Sequence, residues 1–138
     1  MAEHNEIGKI GENIAVKFLQ NKGFNVIDRN FHVKGGEIDI IATKNKANFH
    51  VKLDNIYFVE VKSKKVNSFH EVKDMSFRPE NNLTLTKRQR ILKAIKYYLA
   101  KNKLKESDIN ISVIAIIVFL EIESKKAKIK MYENMPLY

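Results

Sequence analysis

The sequence predicts an α/β domain: one central mixed β-sheet with helices packed on its faces, in the order αβββαββ. Three observations carry that prediction. Segments 5–22 and 86–103 repeat apolar residues at helical spacing. Segments 36–41, 56–62 and 111–120 are short runs of β-branched and aromatic residues. The chain has 138 residues, 44% of them hydrophobic, which suits one core and a single domain spanning 1–138.

Taken in order, the first helix carries Ile7, Ile10, Ile14, Phe18 and Leu19 on one stripe, and Gly23 follows as its stop. Phe24-Asn25-Val26-Ile27 reads as a short strand, Asp28-Arg29-Asn30 as a polar turn, and Phe31 to Val33 as the start of another strand. Lys34-Gly35-Gly36 is a turn or bulge leading into Glu37-Ile38-Asp39-Ile40-Ile41. Residues 42–55 read as a long hairpin connection and 56–62 as the next strand. Residues 63–83, with Pro79 and Asn81-Asn82, read as a long surface loop. Thr86-Lys87-Arg88-Gln89 has the form of a capping box. It opens a second helix, running to around Lys103, with Ile91, Leu92, Ile95, Tyr98 and Leu99 on its apolar face. A buried strand, Ile111 to Leu120, and a last strand around Ile129–Tyr132 complete the order.

Composition narrows the chemistry. The absence of cysteine excludes disulfides and Cys-ligated zinc or iron–sulfur centres, and fits a cytoplasmic protein. His4, His32, His50 and His70 have no metal-ligand spacing. The N-terminal stretch Met-Ala-Glu-His-Asn-Glu is polar overall and lacks an apolar h-region, so no secretory leader is expected. The longest apolar run, Ile111 to Leu120, falls far short of the roughly 20 residues that cross a bilayer, so no membrane span is expected. A formal charge of +9 and a pI of about 9.6 favour a polyanionic partner, nucleic acid first and an anionic membrane surface second. A lysine-rich surface with no such partner gives the same balance.

The chemistry-bearing residues lie on the strands. Side chains alternate along a strand, so Glu37, Asp39 and Ile41 are expected on one face, and Phe58, Glu60 and Lys62 on one face of the next strand. If these strands are neighbours in register, Asp39, Glu60 and Lys62 converge. A carboxylate between Ile38 and Ile40 must be desolvated, paired or metal-bound, unless its strand lies at an edge. Two carboxylates suit a hard divalent cation such as Mg²⁺ or Mn²⁺, and a lysine beside them suits charge developing at phosphorus. A cross-strand salt bridge is the plainer role for Lys62. Glu12 sits at the edge of the first helix's apolar stripe, either reaching toward the sheet or simply solvated. The second helix region is one-sided in charge. Lys87, Arg88, Arg90, Lys93, Lys96, Lys101, Lys103 and Lys105 include no acid among them. Three of these cations crowd the N-terminal turn, where the helix dipole disfavours them and a bound phosphate would relieve the conflict. A solvated lysine face is the alternative.

These residues carry a resemblance. The chain resembles the YraN-like family of small bacterial proteins, within the PD-(D/E)XK restriction-endonuclease-like superfamily. The matching segments are Gly8-x-x-Gly11-Glu12-x-x-Ala15 with Leu19 and Gly23-Phe24, then Arg29-Asn30-Phe31 through Gly36-Glu37-Ile38-Asp39-Ile40-Ile41, then Phe58-Val59-Glu60-Val61-Lys62. A weaker match is Thr86-x-x-Gln89-Arg90 with Tyr98-Leu99. The resemblance implies a restriction-endonuclease-like core with Asp39, Glu60 and Lys62 in the signature positions. It suggests Glu12 as the helix acid, in a layout similar to archaeal Holliday-junction resolvases. It therefore implies a metal-dependent endonuclease acting on structured or branched DNA. Asp39, Glu60 and Glu12 would serve the metal, helped by the Val61 carbonyl. Lys62 would serve the attacking water, and Lys64, Lys65, Lys87, Arg88, Arg90 and Lys93 the phosphates. A nucleic-acid-binding module without efficient catalysis is the second expectation, and a homodimer is left open. The chain departs from the family where an Arg-Phe-Asp-Val segment is usual, having Asn110-Ile111-Ser112-Val113. It also has Ser63-Lys64 where Thr-Arg usually follows the signature lysine.

Overall fold

The structure, a computed structural model, describes residues 2–44, 55–69 and 84–137. The expected hairpin connection at 42–55 and the loop at 63–83 lie largely outside the described residues, as does His50. Helix α1 spans Ala2–Asn21, β1 Asn25–Val33, β2 Gly36–Thr43, β3 Asn55–Val66 and α2 Leu85–Lys101. A single 3-10 turn at Glu106–Asp108 precedes β4, Asn110–Glu121, and β5, Ala127–Tyr132. The αβββαββ order is as the sequence predicts. The strands form one five-stranded sheet in the order β1-β2-β3-β4-β5. All neighbours are antiparallel except β3 and β4, which run parallel because α2 carries the chain back between them.

Each helix buries its stripe on one face of the sheet. Ala15 and Leu19 of α1 pack on Ile40, Val59, Ile114 and Ile116. Ile91, Ala94 and Ile95 of α2 pack on Ile38, Ile41, Ile56 and Phe58. Each large apolar side chain so buried stabilises the fold by roughly 1.5–3 kcal/mol. Tyr98 pins α2 through edge-on contacts with Phe31 at 5.3 Å and Phe58 at 5.8 Å between ring centroids.

Local boundaries depart from the sequence reading in three places. Asp28-Arg29-Asn30 is not a turn, for β1 runs unbroken through it. Its polarity reflects an edge strand whose outer residues meet solvent, and Asn30 adopts a left-handed φ of 53° that Asn tolerates. The N-cap of α2 is Thr84 rather than Thr86, its hydroxyl accepting from the Lys87 amide at 3.2 Å. Strand β3 continues to Val66, four residues beyond its expected end, because β4 pairs with it throughout.

A fourth departure shapes the site. Ile38 and Ile41 face α2, whereas Ile40 and Ala42 face α1. The alternation therefore slips at Asp39, which does not share a face with Ile41 as expected. Opposite it on β1 lies Asn30, and neither has a Cα partner between the pairs Arg29–Ile40 and Phe31–Ile38. The left-handed residue twists the ribbon there and turns the start of β2 over.

Gly36 sets how closely α2 approaches. A Cβ at this position would lie 2.7 Å from the Arg90 carbonyl oxygen and 3.0 Å from the Ala94 nitrogen, both main-chain atoms. Gly36→Ala is expected to destabilise the protein by roughly 1–3 kcal/mol, since overpacking against backbone cannot relax by rotamer change. A lowered urea midpoint with an unchanged m-value checks it.

Candidate functional site

The slip at Asp39 turns its carboxylate toward the gap between β2 and β3. Their pairing is recorded only for Ile40–Val59, Ile41–Phe58 and Ala42–Tyr57. Past Val59, the Asp39 side chain takes the main-chain bond instead: the Val61 amide donates to its Oδ2 at 2.8 Å. Asp39 lines a cleft of about 210 Å³ together with Ile7, Gly8 and Glu12 of α1 and Val61 and Ser63 of β3. The helix comes this close because residue 11 is glycine; a Cβ there would collide with the Ser63 hydroxyl. Two clefts of about 400 Å³ elsewhere are lined largely by apolar side chains and include none of Glu12, Asp39 or Glu60.

Glu60 lies on the α2 face of β3 and is buried, with 7% of its surface exposed. Lys87, in the first turn of α2, donates to its Oε1 at 2.6 Å. Its Oε2 is buried and has no hydrogen-bond partner among the described residues. The Asp39 and Glu60 carboxyl groups are close enough to interact directly, but two ionised carboxylates cannot bond without a proton or cation between them. Burial, and then the neighbouring Asp39 charge, push the Glu60 carboxyl up to about 8, against the pull of Lys87. Burial likewise raises Asp39, opposed by the Val61 amide and by hydrogen bonding with Glu60. Crowding a half-buried and a buried acid together costs stability.

The two sequence-predicted acids are thus brought together, and Lys62 shares the face of Glu60. Lys62 is exposed, and among the described residues the ion pair to Glu60 comes from Lys87, not Lys62. Glu12 faces the same cleft as Asp39, but its Oε1 accepts from Arg29 Nε at 3.2 Å and Nη2 at 3.1 Å. Arg29 also donates to Asn13 Oδ1 at 2.7 Å. Among the described residues, no three His, Cys, Asp or Glu side chains are grouped to hold a metal. Asp39 and Glu60 are the two carboxylates at this gap, and a hard divalent cation held by them would need water for most of its shell.

The phosphate-binding candidates are spread over two surfaces. Lys64 is half-buried on the α2 face, where burial and the Lys62 charge lower its pKa. Lys65 belongs to the opposite face, lining a cleft with Ile7 and Ile10 of α1. Arg88 is half-buried, while Arg90 and Lys93 are exposed. Arg90 approaches Glu37 at 3.9 Å, and Lys93 extends over the Gly35 turn. Sequence reasoning missed Arg29 as the residue that holds Glu12, and missed Lys87 as the partner of Glu60. The first had no signal within a segment read as a turn. The second had one: a cation in the wrong end of a helix needs a local acid, and α2 has none in its first turn.

Among the described residues, no helix is long and apolar enough to cross a membrane. Comparison with known proteins places these features in a wider group. A UPF0102 protein of Clostridium perfringens is 38% identical over 117 residues, 84% of each chain. One from Campylobacter hominis is 36% identical over 132 residues, 96% of this chain and 95% of its own. One from Dictyoglomus turgidum is 34% identical over 131 residues, 95% of this chain and 94% of its own. Residues 11–116, which hold Glu12, Asp39, Glu60, Lys62 and Lys87, match the group described as "Uncharacterised protein family UPF0102", and the chain belongs to that family.

Proposed function

We propose that this chain is a divalent-cation-dependent endonuclease of the PD-(D/E)XK, restriction-endonuclease-like kind, acting on structured or branched DNA in the cytoplasm. The observation that carries the reading is the pairing of half-buried Asp39 with buried Glu60 where β2 and β3 part, with a Glu60 oxygen that no donor among the described residues satisfies. Asp39, Glu60 and the Val61 carbonyl would hold Mg²⁺ or Mn²⁺, and Glu12 would reach it through water. When bound, such a cation activates water and stabilises charge developing at phosphorus. Lys62 presents its ammonium to the scissile phosphate from the same face as Glu60. Arg88, Arg90 and Lys93, joined by Lys64, hold flanking phosphates.

A second reading, a nucleic-acid-binding module without efficient catalysis, is favoured by Arg29. Its two hydrogen bonds to Glu12 tie up an oxygen of the third acid. One assay separates the two. The full chain is incubated with labelled single-stranded, duplex, flap and four-way-junction DNA, with Mg²⁺, with Mn²⁺ and with chelator. Metal-dependent cutting of a branched substrate is expected. Binding without cutting would support the module instead.

Under either reading, affinity for DNA is expected to fall steeply with salt. Replacing Arg88, Arg90 and Lys93 together by Ala should make the slope of log affinity against log salt shallower by roughly 2–3. An unchanged slope would mean that this part of α2 meets only solvent.

A further inference from the structure

Lys87 stands where the sequence gives it no reason to stand. It occupies the first turn of α2, where the helix dipole opposes a cation, and no acid lies in that turn to offset it. Its Nζ crosses to β3 and meets Glu60 Oε1 at 2.6 Å. That contact leaves the cluster unfinished. Among the described residues Glu60 Oε2 stays buried without a donor, and the Asp39 carboxyl, which has the Val61 amide on Oδ2, neighbours the Glu60 carboxyl. One ammonium balances the charge of one carboxylate. A divalent cation in the same place would balance both acids. Lys87 is also free to leave. About a third of its side chain is exposed, and its stem is long and unbranched, so the ammonium swings away without moving α2. The face it would swing across already carries Lys62 and the basic run of α2.

We propose that Lys87 is a displaceable counter-ion of the Asp39–Glu60 pair. Its ammonium holds the charge position that a divalent cation takes, and is released to a nucleic-acid phosphate when the cation binds. The inference rests on the metal-dependent reading of this site and adds a coupling to it: cation and polyanion each favour the other, because the cation frees the lysine that the polyanion uses. Lys87 is then a positioning and charge-switching residue, distinct from Lys62, whose ammonium does not pair with either acid.

The test is Mn²⁺ binding to the full chain by titration calorimetry, for wild type, Lys87→Arg and Lys87→Met. A second measurement follows affinity for a phosphorothioate-protected four-way junction, with and without Mn²⁺. Lys87→Met is expected to bind Mn²⁺ roughly tenfold more tightly or better, since a competing charge has gone. Lys87→Arg should behave like wild type. The gain in junction affinity on adding Mn²⁺ should be present in wild type and lost in Lys87→Met. Lys87→Gln, which still donates to Glu60 but carries no charge, keeps the comparison valid if the Met variant does not fold. Equal or weaker Mn²⁺ binding by the uncharged variants, alongside binding by wild type, would overturn the role of Lys87 and leave the metal reading standing. No Mn²⁺ binding by any of the proteins would overturn both.

Discussion

Cleavage by the Asp39→Ala protein is expected to fall by a factor of about 100 or more, and Mn²⁺ binding to fall with it. Asp39 shares the cleft with Glu12, but neither remaining acid can replace it. Glu12 is tied to Arg29, and Glu60 alone is one carboxylate. Alanine also strips the Val61 amide of its acceptor, so a structural loss would accompany the chemical one. Asp39→Asn separates them, because its amide oxygen still accepts from Val61 while the charge is gone. Lys62→Ala should keep metal binding, since both acids remain, and still lose most of the cleavage rate. Rates at saturating Mg²⁺ or Mn²⁺ for the three variants decide the matter. If all three cut as fast as wild type, the acids of this cleft play no part in hydrolysis.

The second large effect concerns stability against pH. The metal-free protein is expected to lose stability as pH rises from about 5 to 8. In the unfolded chain the Glu60 carboxyl ionises near its ordinary value of 4.5, whereas in the fold it holds its proton up to about 8. Between those values the folded state binds more protons than the unfolded state, so stability falls as pH rises. The advantage is whole below the lower value and gone above the upper one. Burial raises Asp39 in the same direction, so its contribution has the same sign. The loss should be on the order of a few kcal/mol. Glu60→Gln should flatten the curve, and saturating Mg²⁺ should restore stability at the alkaline end. Urea midpoints across this range, with and without the cation, measure both. A wild-type curve that is flat or rises with pH would mean that the acids are better solvated than the geometry indicates.

The αβββαββ element order, both helices and the meeting of Asp39 with Glu60 were legible from hydrophobic period and from acids set among β-branched residues. What could not be read was the slip of β2. It comes from one left-handed residue on the neighbouring strand, Asn30, inside a tripeptide whose polarity mimics a turn. An alternation rule has no term for a partner's backbone, so it placed Asp39 on the face of Ile41. The capping error at Thr86 is of another kind. Thr84 and Thr86 both precede the helix, and which one caps depends on where the helix starts, which packing of Ile91 and Ile95 fixes. The partnership of Lys87 with Glu60 is a tertiary fact: it follows from how α2 is seated over β3, which no local pattern contains.

The two glycines beside the site have a consequence for how the protein tolerates change. Gly11 brings α1 against Ser63, and Gly36 brings α2 against the start of β2. At Gly36 the spacing is set by main chain meeting main chain, and at Gly11 by main chain meeting the short Ser63 side chain. The helix-to-sheet spacing there leaves no room for a larger side chain at either glycine. Sequence drift at these positions would pry a helix off the sheet at the acids first, so its earliest symptom would be a misaligned site in a protein that still folds.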